Sequence, residues 1–350
     1  MESVARRQRK ENPRLPFEII EIGAVKLNSS LEETGQFHSV IRPSVYPSLN
    51  YHTREVVRLS EDSLRNGTPF PEAVREFLSF CGGDAMFCTW GPSDLTELQR
   101  NMKYYGLLSM LRGPLHYYDV QKLFAIQYET MKSRKSLEYA ADFLKLDHSL
   151  AFHQALSDAV YTARVFRTID PSVRSAYDSI DVYQNPKTKH EEIHAVYNGY
   201  SKFISREFDS KEEAVADREV SSTYCCLCGR RARKKIRWFS VGSKNYYCVA
   251  LCPEHGYLKG KVRMKHTDEG KFYVVKTIKV SSPQEAEEIR QKKETIRKKM
   301  KSETSLIVSD FVCFSRFLWP CPAVFPRILF SFSFVCRFLE NPGFLFTPVI

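Results

Sequence analysis

Residues 17–27 read Phe-Glu-Ile-Ile-Glu-Ile-Gly-Ala-Val-Lys-Leu, a mostly apolar, β-branched run about one strand long. Residues 35–41 predict a second strand. The period then changes. Val74, Phe77 and Leu78 share the apolar face of a helix predicted from a Thr68 cap through Phe80, with Pro69 and Pro71 at its start. Residues 85–90 are a short buried strand, and residues 94–105 a helix with Leu95, Leu98 and Met102 at helical spacing. A strand at 115–119 and helices at 137–146 and 155–169 follow. Strands followed by strand–helix alternation predict an α/β domain with a mixed sheet. It is expected to span residues 1–171.

Residues 172–222 are polar, with a charged stretch from Asp209 to Glu219, and read as a connector with helix around Ile193. A small β module is expected over 223–282, with strand-like runs at Trp238-Phe-Ser-Val and Lys271-Phe-Tyr-Val-Val-Lys. Residues 283–304 predict a strongly charged helix. Residues 305–350 fit none of this pattern. They hold ten of the 24 Phe and only two acids, Asp310 and Glu340. Arg316, Arg327 and Arg337 cut the tail into runs shorter than the ~20 apolar residues of a membrane span, and Pro320, Pro322 and Pro326 break helices. The tail is read as disordered, anomalous sequence; a peripheral membrane tail is the rival reading.

At 350 residues there is room for two or three domains, and 43% hydrophobic with 27% charged residues describes a globular chain. The net charge of +11 suits a polyanion partner, or equally a basic surface with no specific role. The polar stretch 1–14 has no signal-peptide core, and five of the ten cysteines cluster within residues 225–252. Both features suggest a reducing, cytoplasmic setting with a metal site.

Three residues carry candidate chemistry. Asp94 follows a strand at the start of a helix; His153 and Asp158 form a His-x4-Asp pair at another helix start. Singly, each has an ordinary reading. Asp94 with Glu97 makes a capping box, Asp158 is an acid favoured in a first helical turn, and a lone His is usually structural. Their order changes the weighting. Hydrolysis of a phosphodiester by two metal ions needs carboxylates from separate elements converging at one end of a sheet, and a water-activating base.

The segments Glu18-Ile-Ile-Glu-Ile-Gly-Ala-Val, Thr89-Trp-Gly-Pro-Ser-Asp94 and His153-x4-Asp158 resemble the DEDD exonuclease superfamily, in its His variant. That variant includes RNase T and polymerase proofreading subunits. The resemblance covers roughly residues 1–170 and implies a ribonuclease H-like fold. It implies that Asp94 and Asp158 bind Mg²⁺ or Mn²⁺ and that His153 is the general base. It also implies a first motif, Asp-x-Glu, on a central first strand. Here Glu2 is the candidate remnant, with the Asp and the strand expected upstream of Met1; Glu2 reads equally as an exposed terminal residue. The domain is therefore expected to lack its first strand, and its activity to be impaired.

Cys225-x2-Cys228 and Cys252-x2-His255 have the spacing of two chelating turns for a tetrahedral Zn²⁺. Cys226 competes with Cys225, but Cys-x2-Cys suits a turn better than Cys-x-Cys. Arg230, Arg231, Arg233, Lys234 and Lys235 lie beside this site, followed by Trp238. Basic residues interleaved with aromatics suit single-stranded DNA or RNA; a solvated basic face is as plausible. The expected function is 3′-5′ exonuclease action on single-stranded ends. The alternatives are a non-catalytic nucleic-acid-binding protein and a protein-interaction adaptor.

Overall fold

The computed structural model describes residues 12–46, 59–129, 134–309 and 330–338, with backbone alone for 300–309 and 330–338. In chain order the first part contains β1 (Ile19–Leu27), β2 (Glu33–Arg42), α1 (Glu61–Arg65), β3 (Thr68–Pro69), α2 (Phe70–Cys81), β4 (Ala85–Thr89), α3 (Ser93–Tyr104), β5 (Leu115–Asp119), α4 (Val120–Tyr128), α5 (Leu137–Phe143), α6 (Ala155–Thr168), α7 (Pro171–Ala176) and β6 (Ser179–Asp181). Then come β7 (Ile193–Tyr197), β8 (Tyr200–Ile204), α8 (Lys211–Ala216), α9 (Arg218–Ser221), β9 (Arg233–Val241), β10 (Asn245–Cys252), β11 (Gly256–His266), β12 (Phe272–Val280), α10 (Pro283–Ser309) and β13 (Phe330–Phe338). Two compact units divide between Tyr183 and Gln184, and β13 returns to the first. The boundary falls later than residue 171 because β6 pairs with β5.

The first unit is a seven-stranded mixed sheet in the order β3-β2-β1-β13-β4-β5-β6. β1 is buried along its length except at Lys26, as a strand covered on both faces must be. Ile22 and Ala24 pack with Phe70, Val74 and Phe77 of α2 and Leu95, Leu98 and Met102 of α3. Val25 and Leu27 pack on the other face with Leu123 and Phe124 of α4 and Val160, Ala163 and Phe166 of α6. The α2 helix starts later than its sequence suggests. Thr68 and Pro69 pair with Ile41 and Arg42 as β3, so Thr68 caps nothing.

The expected missing strand leaves no open slot. β13, from the tail read as disordered, lies between β1 and β4, parallel to β1 and antiparallel to β4. An apolar tail of alternating Phe, Ser and Val has the two-residue period of a strand, and the slot offers it backbone partners on both sides.

Gly23 sets how closely α6 approaches the sheet. A Cβ there would lie 2.2 Å from the backbone of Ala155 and Leu156. Gly23→Ala is therefore expected to destabilise the first unit by about 1–3 kcal/mol, because backbone rather than a mobile side chain must yield. Urea denaturation checks this; an unchanged midpoint would mean that the helix does not sit that close.

The second unit is a six-stranded antiparallel sheet in the order β7-β8-β12-β11-β10-β9. The helix expected around Ile193 is instead β7, joined to β8 through Gly199 at φ 84°. Its exposure alternates residue by residue, the mark of a strand with one covered face. One face of the sheet packs Val262, Met264 and Val274 against Ala214 of α8 and Val220 of α9. The other packs Ile236 and Val249 against Ala286 and Ile289 of α10.

Candidate functional site

The acids of the first unit gather at the C-terminal ends of β4 and β5, where open α/β sheets place their ligand sites. β4 ends at Thr89, and Asp94 lies in the first turn of α3. No side-chain bond caps this helix, so Asp94 is not the capping residue its sequence allows. Burial pushes its carboxyl well above the usual carboxylate range, with Asp158 and Asp119 adding to the effect through their charges. Asp158 sits in the first turn of α6, and Gly23 brings that turn onto β1. Its Oδ1 accepts a hydrogen bond from the His153 backbone N–H at 3.2 Å. Burial raises the Asp158 carboxyl to about 6, against the pull of His153 and with a further push from Glu21.

His153 stands in the loop before α6, exposed, at φ 67°. A left-handed conformation is uncommon for a residue with a side chain and concentrates at functional sites. The structure thus brings Asp94, Asp158 and His153 into one neighbourhood. Glu2 lies outside the described residues.

Two further acids belong to this end of the sheet and escaped the sequence reading. Asp119 ends β5 and accepts from the Lys122 N–H at 2.9 Å, capping α4, while its other oxygen pairs with Arg134 at 3.1 Å. The signal was present: a strand-terminal acid before a helix, as at Asp94. Glu21 is buried on β1 and pairs with His38 at 2.8 Å. A carboxylate inside an otherwise apolar strand was its signal. Glu18 has a structural role instead, since the backbone N–H groups of Ser44, Val45 and Tyr46 all donate to it.

The raised Asp158 carboxyl predicts a pH dependence. The folded state holds this proton more tightly than the unfolded chain, so the associated stability is fully present below about 3.8 and lost as pH rises through about 6. In metal-free buffer, thermal midpoints are expected to fall between about pH 4 and 6, and Asp158→Asn to flatten that fall. A midpoint that rose over the same window in the wild-type chain, and in the variant alike, would contradict the assignment.

In the second unit, Cys225, Cys228, Cys252 and His255 bring their ligand atoms within 4.8 Å of one another. Among the described residues this is the one set of three or more such side chains placed to hold a metal ion. The first turn closes by Gly229 N–H to Cys225 O at 2.9 Å and Cys225 N–H to Arg230 O at 2.8 Å, with Gly229 at φ 68°. The second is the β10–β11 turn, with Gly256 at φ 73°. His255 Nδ1 lies 3.7 Å from the sulfurs of Cys225 and Cys252. Desolvation opposes ionisation of Cys252, but the backbone and ring of His255, the Glu254 N–H and the Cys228 thiol bring it down to about 6. Cys226 stands outside the set, its thiol pushed up by burial. This soft, preformed tetrad fits a Zn²⁺ ion.

The basic run does not act as one surface. Arg230 pairs with Glu254 across the two turns. Arg231, Arg233 and Lys235 are exposed, but Lys234 is half-buried. Trp238 is no platform for a base. Its Nε1 donates to Ser221 O at 2.9 Å, and its ring packs against Gly260 in the interior. A register shift in β9 beside Val249 separates the run between the two faces.

A family model described as exonuclease, RNase T, matches residues 12–166. Among solved structures, a full-length 3′-exonuclease is 16% identical over 43% of this chain and 80% of its own, with a TM-score of 0.35. A structure of a 3′-exonuclease recognising a histone mRNA stem-loop gives the same values. Cell-death related nuclease 4 (CRN-4) is 14% identical over 48% of this chain and 67% of its own, with a TM-score of 0.34. No curated protein matches. Among the described residues, no helix is long and apolar enough to cross a membrane.

Proposed function

Residues 12–166 belong to the RNase T exonuclease family, and from that membership we propose that the site at Asp94, Asp158 and His153 hydrolyses nucleic-acid strands from their 3′ ends. The observation that carries this is the electrostatic coupling of Asp94 to Asp158 at the end of the sheet, beside an exposed His153. Two carboxylates sharing a desolvated site relieve their repulsion by binding a hard divalent cation. Such a cation, Mg²⁺ or Mn²⁺, supplies charge stabilisation and a more acidic water. His153, exposed beside Asp158, is the residue suited to take a proton from that water.

The ligand set fits one cation better than two. β13 holds the central position, and Ser331 and Ser333 stand at the register positions beside Glu21 and Gly23. No carboxylate lies on the described part of this strand. This favours a second reading, in which the 350-residue chain binds nucleic acid with little cleavage. The Cys225, Cys228, Cys252 and His255 tetrad is proposed as a structural Zn²⁺ site that takes no part in hydrolysis, because all four positions are protein ligands.

Calorimetric titration with Mn²⁺ tests the site without relying on turnover. Binding of one ion is expected, with at least a tenfold loss in Asp94→Asn or Asp158→Asn. Direction is read with a 5′-labelled single strand, which should shorten stepwise from its 3′ end. Unchanged Mn²⁺ binding in both variants sinks the reading.

A further inference from the structure

The sheet face beneath α10 carries cations that the nuclease reading does not use. Lys259, Lys261, Arg263 and Lys265 alternate along β11 on the face opposite Leu258, Val262 and Met264. Their two-residue step is about 6.6 Å. Tyr247 of β10 pairs with Lys261 and Asn245 with Arg263, so this row runs beside an aromatic ring on the same face. The Lys261 ammonium lies 5.7 Å from the Tyr247 ring centroid, and Lys292 of α10 lies 5.0 Å from the same centroid. Lys293 sits 5.7 Å from Phe239, the β9 neighbour of Tyr247.

The ion pairs to the sheet lysines lie at one end. Glu285, in the first turn of α10, takes both Lys259 at 3.6 Å and Lys279 at 3.2 Å. Beyond it, Lys261, Arg263 and Lys292 have no carboxylate partner among the described residues. Arg263 and Lys292 are exposed and Lys261 half-exposed. Like charges held together on one rigid face repel, and a polyanion relieves that repulsion.

We propose that this face, built from Lys261, Arg263 and Lys292 around Tyr247, is a binding surface for the phosphate backbone of single-stranded nucleic acid. A stepped row of cations suits a chain of regularly spaced anions better than a single one. Tyr247 holds two ammonium groups in place by cation–π attraction. The choice of nucleic acid among polyanions rests on the exonuclease reading of residues 12–166. The surface replaces the Arg230–Trp238 run expected from sequence, whose tryptophan is internal.

The test uses the full chain and a fluorescently labelled single-stranded 20-mer, without added Mg²⁺ or Mn²⁺, so that binding is read without cleavage. Anisotropy is followed across a KCl series. The triple variant Lys261→Glu, Arg263→Glu, Lys292→Glu should bind at least tenfold more weakly. Its log–log salt slope should be shallower by about 2, from roughly 0.7 per cation lost. Lys261→Arg with Lys292→Arg should retain binding, and Tyr247→Leu should weaken it a few-fold. Zinc content equal to wild type controls for folding. Arg231→Glu, Arg233→Glu, Lys235→Glu should change affinity less than twofold.

Wild-type affinity in the triple variant overturns the inference, and so does loss confined to the Arg231, Arg233, Lys235 set. Vesicles of anionic phospholipid competing as well as unlabelled strand would assign the face to a membrane instead and reject it. A chain that binds through this face yet never cleaves, even with its catalytic strand supplied, removes the nuclease reading and leaves this one standing.

Discussion

Stripping metal from Cys225, Cys228, Cys252 and His255 is expected to unfold the end of the second sheet that carries them. The tetrad is continuous with a core. Cys225 and Cys252 pack with Ala232, Ala250, Leu258 and Ile278, so the turns and the sheet interior form one cluster. Without an ion, the Cys228 and Cys252 sulfurs, 3.6 Å apart, lose their common partner. Structural zinc contributes an apparent ~10–16 kcal/mol at neutral pH, more than a small module's own stability. One equivalent of zinc per chain is expected. Cys252→Ser or strong chelator should lower the melting temperature by more than 10 °C and open residues 223–280 to protease. Affinity should fall as pH drops, because protons compete with zinc for the thiolates, and more steeply below about 6, where Cys252 also takes up its proton. Zinc-free protein with an unchanged melt would defeat the assignment.

Rebuilding the central strand should raise exonuclease activity by a factor of 100 or more over the 350-residue chain. β1 and β4 run antiparallel to each other, because β13 is parallel to one and antiparallel to the other. An inserted strand of either direction therefore finds backbone partners on both sides. A strand running with β4 ends at Asp94's side of the sheet; β13 runs the other way. An Asp-x-Glu at the end of the correctly directed strand would add carboxylates beside Asp158. Two-metal hydrolysis depends on both ions, and ~1 Å of misplacement costs ~100-fold. The comparison replaces residues 330–338 by such a strand fused ahead of Glu2, assayed with Mg²⁺ and Mn²⁺. Asp158→Ala must abolish the gain. Robust degradation by the 350-residue chain itself, lost in Asp158→Ala, would show that an added Asp-x-Glu strand is dispensable.

Much of the first unit could be read from local pattern. β1, α3 and α6 announce themselves by period and burial, and Asp94 and Asp158 by their place at element ends. Most of the failures share a cause. Neighbours in sequence misplace Thr68 and Trp238, whose roles are set by distant partners, Ile41 and Gly260, whereas the Ile193 segment finds its partner, Ile204, just across a hairpin. Asp119 was legible in principle, by the same strand–acid–helix pattern as Asp94. β13 was not, since no local feature indicates that a tail strand will pair with β1. The Lys261–Lys292 surface needed register, because α10 and β11 meet only in the folded sheet.

The position of β13 has a consequence for how the chain assembles. Its partner in β1 is more than 300 residues earlier, so the central pairing of the first sheet closes the longest loop among the described strand pairings. Closure of that loop costs entropy that local helices never meet, and pairings so distant in sequence form late. During synthesis, β1 is made long before β13, the strand that pairs with one of its edges. The second unit, whose strands all lie between, can complete its own sheet first. Hydrogen-exchange labelling during refolding should accordingly protect β10–β12 before β1.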